Sequence, residues 1–211
     1  MHETNPFDTQ YRMYDAWFDR NANIYQSELL AIRELLPPAG DWVEIGVGSG
    51  RFAAELGIPV GIEPAAGIAT LARSRGIHVL QGKAESLPLD DQTVDAAFLI
   101  TALCFVDDVG QTFGEIARVL RRGGHALVAL IPKNSRFGDT YAAHASDDVF
   151  FRYATLRTTE ETFAALATAG LQIMRTVQTL TGSVEDANDK VERPTDGYEQ
   201  GSFVVVQAVK P

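Results

Sequence analysis

Residues 42–52 read Trp-Val-Glu-Ile-Gly-Val-Gly-Ser-Gly-Arg-Phe, and no other stretch limits the fold so tightly. Val43, Ile45 and Val47 are the β-branched residues of a buried strand. Gly46, Gly48 and Gly50 let the backbone turn sharply and come against a ligand with no side chain between. A helix opening near Ser49 leaves its first NH groups without partners inside the helix, so the turn can hold an anionic group. The glycines are spaced GxGxG. The usual dinucleotide pattern, GxGxxG, carries a third Gly or Ala where this chain has Arg51, which argues against a nicotinamide dinucleotide.

A strand that ends in such a turn belongs in a parallel sheet, and the following residues alternate accordingly. A second strand is expected over 59–63, a helix over 65–75 closed by Gly76, and a third strand over 77–80. The loop 82–88 (Gly-Lys-Ala-Glu-Ser-Leu-Pro) precedes an apolar strand over 93–100, whose carboxyl end is crossed by 101–106. An amphipathic helix over 109–120 stops at Arg121-Arg122-Gly123-Gly124, and a fifth strand runs over 125–131 to Pro132. The alternation argues a doubly wound α/β sheet with helices on both faces. Ligands of such sheets sit outside the carboxyl ends of the strands, so Glu63 should face the same crevice as the glycine turn and can accept the hydroxyls of a ribose.

The flanks are read as two helices over 7–36 with a break near 21–23, and an irregular insertion over 133–157. A helix over 158–169 opens on a capping box, Thr158 with Glu161. Strands over 171–180 and 202–209 form a closing hairpin around an acidic, solvated loop, 181–201. One domain is expected for 1–211: a helical lid (1–38), a cofactor-binding core (40–132), a substrate-side insertion (133–157) and the final helix and hairpin (158–211). Phe7, Tyr11, Tyr14, Trp17 and Phe18 make the lid strongly aromatic.

Composition narrows the partners. With 28 acidic against 18 basic residues the net charge is −10, which disfavours nucleic acid and leaves a small molecule as the easier substrate. A single cysteine, Cys104, excludes an internal disulfide and fits a reducing cytoplasm. The most apolar run, 96–106, is too short for the roughly 20 residues that span a bilayer. No His and Cys cluster has ligand spacing, so no metal is expected. Both a monomer and a homodimer are compatible with these residues.

Three features thus fall at successive strand ends: the glycine turn, Glu63 and the Lys83-Ala84-Glu85 loop. Together with 82–98 and with Glu-Ile-Ala-Arg-Val-Leu-Arg-Arg-Gly-Gly at 115–124, the chain resembles the class I S-adenosylmethionine-dependent methyltransferases. Within them it is most similar to the small-molecule type that includes the ubiquinone and menaquinone biosynthesis C-methyltransferases. That resemblance implies a Rossmann-like seven-stranded sheet, mostly parallel with an antiparallel final hairpin strand. It also implies S-adenosylmethionine as cofactor and S-adenosylhomocysteine as product. Glu44 lies where the family has an acid that fixes the turn and the methionyl amine. Gly46, Gly48 and Gly50 would pass beneath the methionyl and ribose parts, and Glu63, followed by Pro64, would take the ribose hydroxyls. Ile68 would lie against the adenine and the Ala84 NH would face an adenine ring nitrogen. Lys83 stands where the family often has Asp, with Glu85 as a substitute for the adenine amine contact. Thr101 would flank the methyl group to be moved.

The implied activity is in-line methyl transfer to a small organic acceptor. Residues for base or acceptor contacts are not specified by the sequence; Tyr14, Tyr141 and His144 are the candidates. The alternative is a module that binds S-adenosylmethionine for regulation or interaction and transfers nothing.

Overall fold

The computed structural model describes residues 5–211. In chain order the elements are α1 (Pro6–Thr9), α2 (Tyr11–Arg20), α3 (Ala22–Glu34), β1 (Trp42–Ile45), α4 (Arg51–Leu56) and β2 (Val60–Ile62). They continue with α5 (Ala66–Ser74), β3 (His78–Leu80), β4 (Val94–Ile100), α6 (Val109–Val119), β5 (Leu120–Leu130) and α7 (Arg136–His144). The chain closes with α8 (Thr159–Thr168), β6 (Gln172–Thr179), α9 (Val184–Asp189), β7 (Thr195–Asp196) and β8 (Phe203–Val209).

The strands form one sheet in the order β3-β2-β1-β4-β5-β8-β6-β7. The first five in that order are parallel, and β8, β6 and β7 join antiparallel. From β1 the chain winds outward to β2 and β3, then returns to β4 on the other side. The crevice of a doubly wound sheet therefore lies at the carboxyl ends of β1 and β4. Both faces of the sheet are buried. On one, Phe98 and Val205 pack with Ile24, Leu29 and Ile32 of α3, and on the other Val43 and Ile45 pack with Phe113 and Ile116 of α6. Full burial of a side chain such as Phe98 contributes on the order of 1.5–3 kcal/mol.

Several expectations are corrected. The sheet has 8 strands, not seven. The additional strand, β7, has 2 residues and lies inside the acidic segment read as a loop, which also folds a turn-and-a-half helix, α9. Two residues carry no period, and α9 is a short helix opened by its capping box, Ser183 with Asp186, and seated on the core through only Ala187 and Val184. The Arg121–Gly124 stop is also displaced: α6 ends at Val119, and Leu120 already pairs with Val94 before the bulge that realigns β4 and β5. The insertion over 133–157 contains a helix, α7, capped by Ser135. The first of the two helices expected over 7–36 is itself divided at Gln10 into α1 and α2, whereas the expected break falls at Asn21, between α2 and α3, and the Thr158–Glu161 capping box is formed as read.

Candidate functional site

At the end of β1 the backbone reverses through Gly46, Gly48 and Gly50, at φ of 68°, 53° and 78°. The NH groups of Gly46 and Val47 both donate to the Ile62 carbonyl, at 2.8 and 3.1 Å, which ties the turn to the end of β2. The three glycines serve different ends. A Cβ at Gly46 would lie 2.7 Å from that of Ala102, and one at Gly50 would lie 2.8 Å from the Ala72 Cα. Gly46 and Gly48 line a cavity, whereas Gly50 lets α4 pack on α5.

Glu63 follows β2 and is 7% exposed. Its two carboxylate oxygens accept from the NH groups of Gly48 and Ala65, each at 2.9 Å, so the acid braces the glycine turn as well as facing the cavity. Burial raises its pKa, and those two donors oppose the rise. Glu44 is buried beneath the turn, accepts from the Ala53 NH at the start of α4, and keeps its Oε2 without a partner. Burial, followed by the nearby Glu63 charge, pushes its pKa well up. Ile68 is fully buried under the turn and does not line the cavity; its Cδ1 lies 3.7 Å from where a Gly48 side chain would begin.

The opposite wall is the Lys83-Ala84-Glu85 loop. Glu85 Oε1 accepts from the NH of Asp107 at 2.7 Å, and Lys83 Nζ lies 3.3 Å from the Asp107 carboxylate. These contacts join the loop to the segment that crosses the end of β4. Pro64, Lys83, Ala84, Glu85 and Thr101 all line the same cavity. Thr101 has a φ of 51°, a left-handed conformation that is strained for a β-branched residue. Its NH is nevertheless fixed to the Ala129 carbonyl at 2.8 Å. Such strain is held where surrounding structure over-determines the backbone, often at a functional site.

The roof comes from the N-terminal segment. Phe7 contacts Tyr14, Phe105 and Phe150, with ring centroids 5.1 to 5.3 Å apart. Pro6, Phe7 and Tyr14 line the cavity from above. Burial, then Cys104 and Glu28, raise the Tyr14 pKa, and the neighbouring Thr101 side chain opposes the rise, so the phenol keeps its proton at neutral pH. The enclosed volume is ≈ 490 Å³, within the range of small-ligand sites. Among the described residues no group of three metal-ligating side chains occurs, and no helix is long and apolar enough to cross a membrane.

The other candidates are placed elsewhere. Tyr141 stacks on Phe151 at 4.3 Å between ring centroids, packs half-buried against the hydrophobic core, and does not line the main cavity. His144 is exposed at the end of α7 with Nδ1 2.8 Å from the Thr140 carbonyl. Cys104 borders the inner end of the site, and burial pushes its thiol up to about 12, so it remains neutral. Sequence reasoning missed Asp107 and Tyr153 in the cavity wall, and it missed Glu28. Glu28 is 3% exposed, and burial, the one cause that shifts its carboxyl, pushes its pKa up to about 8. Its position four residues after Ile24 and four before Ile32 was a readable sign of an inward-facing acid.

A Gly-lined cradle, an unpartnered buried carboxyl oxygen at Glu44 and a mixed polar and aromatic cavity suit a cofactor with an amine, a ribose and a flat base. The sequence profile of a methyltransferase domain matches residues 43–128. An uncharacterized protein of Methanocaldococcus jannaschii is 35% identical over 98% of this chain and 99% of its own length. The crystal structure of an S-adenosylmethionine-dependent methyltransferase of Thermotoga maritima, described as a possible histamine N-methyltransferase, superposes with a TM-score of 0.93. It is 38% identical and is matched over 97% of this chain and 98% of that one. The demethylmenaquinone methyltransferase of Roseiflexus castenholzii is 35% identical over 99 residues, which cover 42% of this chain and 41% of that protein.

Proposed function

The chain belongs to the S-adenosylmethionine-dependent methyltransferases, and from that premise we propose that it moves a methyl group to a small organic acceptor seated under the aromatic roof. One observation carries the reading: a single cavity extends from the glycine turn and Glu63, past the strained Thr101, to Phe7 and Tyr14.

Gly46 and Gly48 would hold the methionyl and ribose parts by close backbone approach. Glu63 would offer its remaining lone pairs to the ribose hydroxyls, and Glu44, which does not itself line the cavity, would brace the turn from beneath on the methionyl side. Ala84, Lys83 and Glu85 would border the adenine, with Ile68 supporting the turn from beneath. When bound, the cofactor supplies a methyl group on a sulfonium, already a good leaving group. The protein's part is then alignment and exclusion of water, and positioning alone contributes roughly 7 kcal/mol in favourable cases. Tyr14 would orient the acceptor by donating a hydrogen bond. Neither it nor Cys104 is a base at neutral pH, given their raised pKa values. A flat ring suits the roof, which agrees with the quinone-type resemblance of the cofactor half.

The test is incubation with S-adenosylmethionine and a broad panel of small aromatic acceptors, followed by mass spectrometry for the methylated product. A product that disappears with Tyr14→Ala supports the proposal. S-adenosylhomocysteine binding with no product from any acceptor supports the binding-module reading instead.

A further inference from the structure

Below the main cavity lies an inner annex of ≈ 40 Å³. Tyr14, Thr101 and Phe105 form part of both walls, so the two spaces adjoin at the strained end of β4. The rest of the annex is mostly apolar, with Cys104 and one charged side chain, Arg157. Arg157 is half-buried and its Nε is fully enclosed without a hydrogen bond. Among the described residues its guanidinium makes no hydrogen bond and no ion pair.

This sets it apart. The other half-buried arginines each hold carboxylates: Arg51 takes Asp15 and Asp19, Arg75 takes Asp15, Arg118 takes Glu115 and Asp91, and Arg121 takes Asp41 and Asp95. In a chain with 28 acidic and 18 basic residues, a partly desolvated cation with no acid beside it is conspicuous. Taking a charge from water is unfavourable unless it is paired, and a guanidinium pairs best with a planar carboxylate or a phosphate. The annex is too small for a ring but has room for one such small polar group. The Cys104 thiol, neutral as noted, does not supply the missing negative charge.

We infer that Arg157 is a specificity-determining residue that receives an anionic group of the acceptor, a carboxylate, in the annex while the rest of the acceptor lies under the aromatic roof. The inference rests on the methyl-transfer reading and narrows its substrate class to small aromatic acids. It places the acceptor's negative end beyond Thr101, in a space whose lining includes no acidic side chain.

Three ligands with one ring and different ends separate this from its alternatives. Phenylacetate, phenylacetamide and phenethylamine are titrated by calorimetry into the protein saturated with S-adenosylhomocysteine, and into Arg157→Met and Arg157→Lys. The acid is expected to bind the native protein about tenfold more tightly than the amide or the amine, to lose that preference in Arg157→Met and to keep part of it in Arg157→Lys. S-adenosylhomocysteine affinity of Arg157→Met should stay within about twofold of native, which shows that the variant is folded. Failure of the acid to bind, a preference for the amine, or an acid preference that survives Arg157→Met would overturn the inference. Those outcomes with intact S-adenosylhomocysteine binding leave the methyltransferase reading standing, whereas a native protein that binds no S-adenosylhomocysteine removes that reading itself.

Discussion

Arg51 grips Asp15 through two parallel hydrogen bonds, Nε to Oδ1 at 2.8 Å and Nη2 to Oδ2 at 3.0 Å, and so fastens α2 to the first turn of α4. Asp15 also accepts from Arg75 at 2.9 Å, and Arg75 in turn donates to the Ser49 carbonyl within the glycine turn at 2.6 Å. The roof and the glycine turn are therefore joined by one network of hydrogen-bonded ion pairs. The side chains of Arg51 and Asp15 are 16% and 15% exposed, so the pair is shielded enough for its loss to matter. Arg51→Met is expected to lower the unfolding free energy by about 1–3 kcal/mol and to expose residues 5–20 to proteolysis. Urea denaturation and limited proteolysis check this, and a variant unchanged in both refutes the coupling. Burial alone would raise the Asp15 pKa, but the hydrogen bonds from Arg51 and Arg75 prevail and hold it at about 2, below its ordinary 3.8. A depressed acid stabilises the fold above its unfolded pKa, so this contribution, reduced by solvent screening, should be fully present above pH 4 and fade as pH falls toward 2.

Glu28 has the opposite sign. Its folded pKa of about 8 stands above the ordinary 4.5, because burial disfavours the charged form. The folded state then binds the proton more tightly than the unfolded chain, so stability is greatest at low pH and declines as pH rises from about 4.5 to about 8. Glu28→Gln removes this dependence. The variant should gain about 3–5 kcal/mol over native at pH 9, relative to their difference at pH 4.5. Denaturation curves across that range measure it; parallel pH profiles for the two proteins would show that Glu28 is solvated or paired.

Thr101 pays for its place with backbone strain at a φ of 51°. Thr101→Gly relieves it at the loss of a side chain that lines the cavity beside Tyr14. We expect an unfolding free energy higher by up to about 1 kcal/mol together with at least tenfold slower methyl transfer. A variant that is less stable by more than about 1 kcal/mol, or equally active, speaks against stored strain at the site.

The glycine turn, Glu63 and the 82–88 loop were legible because each signal is local: residue spacing, strand-end position and turn chemistry lie within a few residues. Helix α7 was not, since Phe137 and Tyr141 are its main apolar pair and Gly138, a helix-disfavouring residue, is present because any Cβ would strike the Pro132 carbonyl. Arg51 was legible as a residue that does not fit a dinucleotide turn, but its grip on α2 joins positions 36 apart in sequence. The solitude of Arg157 was hidden for the same reason. Whether a charge is paired depends on which chains of residues the sheet brings together, and no spacing records it.

Binding of S-adenosylhomocysteine by calorimetry probes the cofactor site most directly. The native protein should bind one molecule per chain. Glu63→Ala, which removes both the ribose acceptor and the brace on Gly48, should weaken that binding at least tenfold, and Glu63→Gln, which retains an acceptor oxygen, should weaken it less. No binding by the native protein, or undiminished binding by Glu63→Ala, would contradict a cofactor site built on the glycine turn and Glu63.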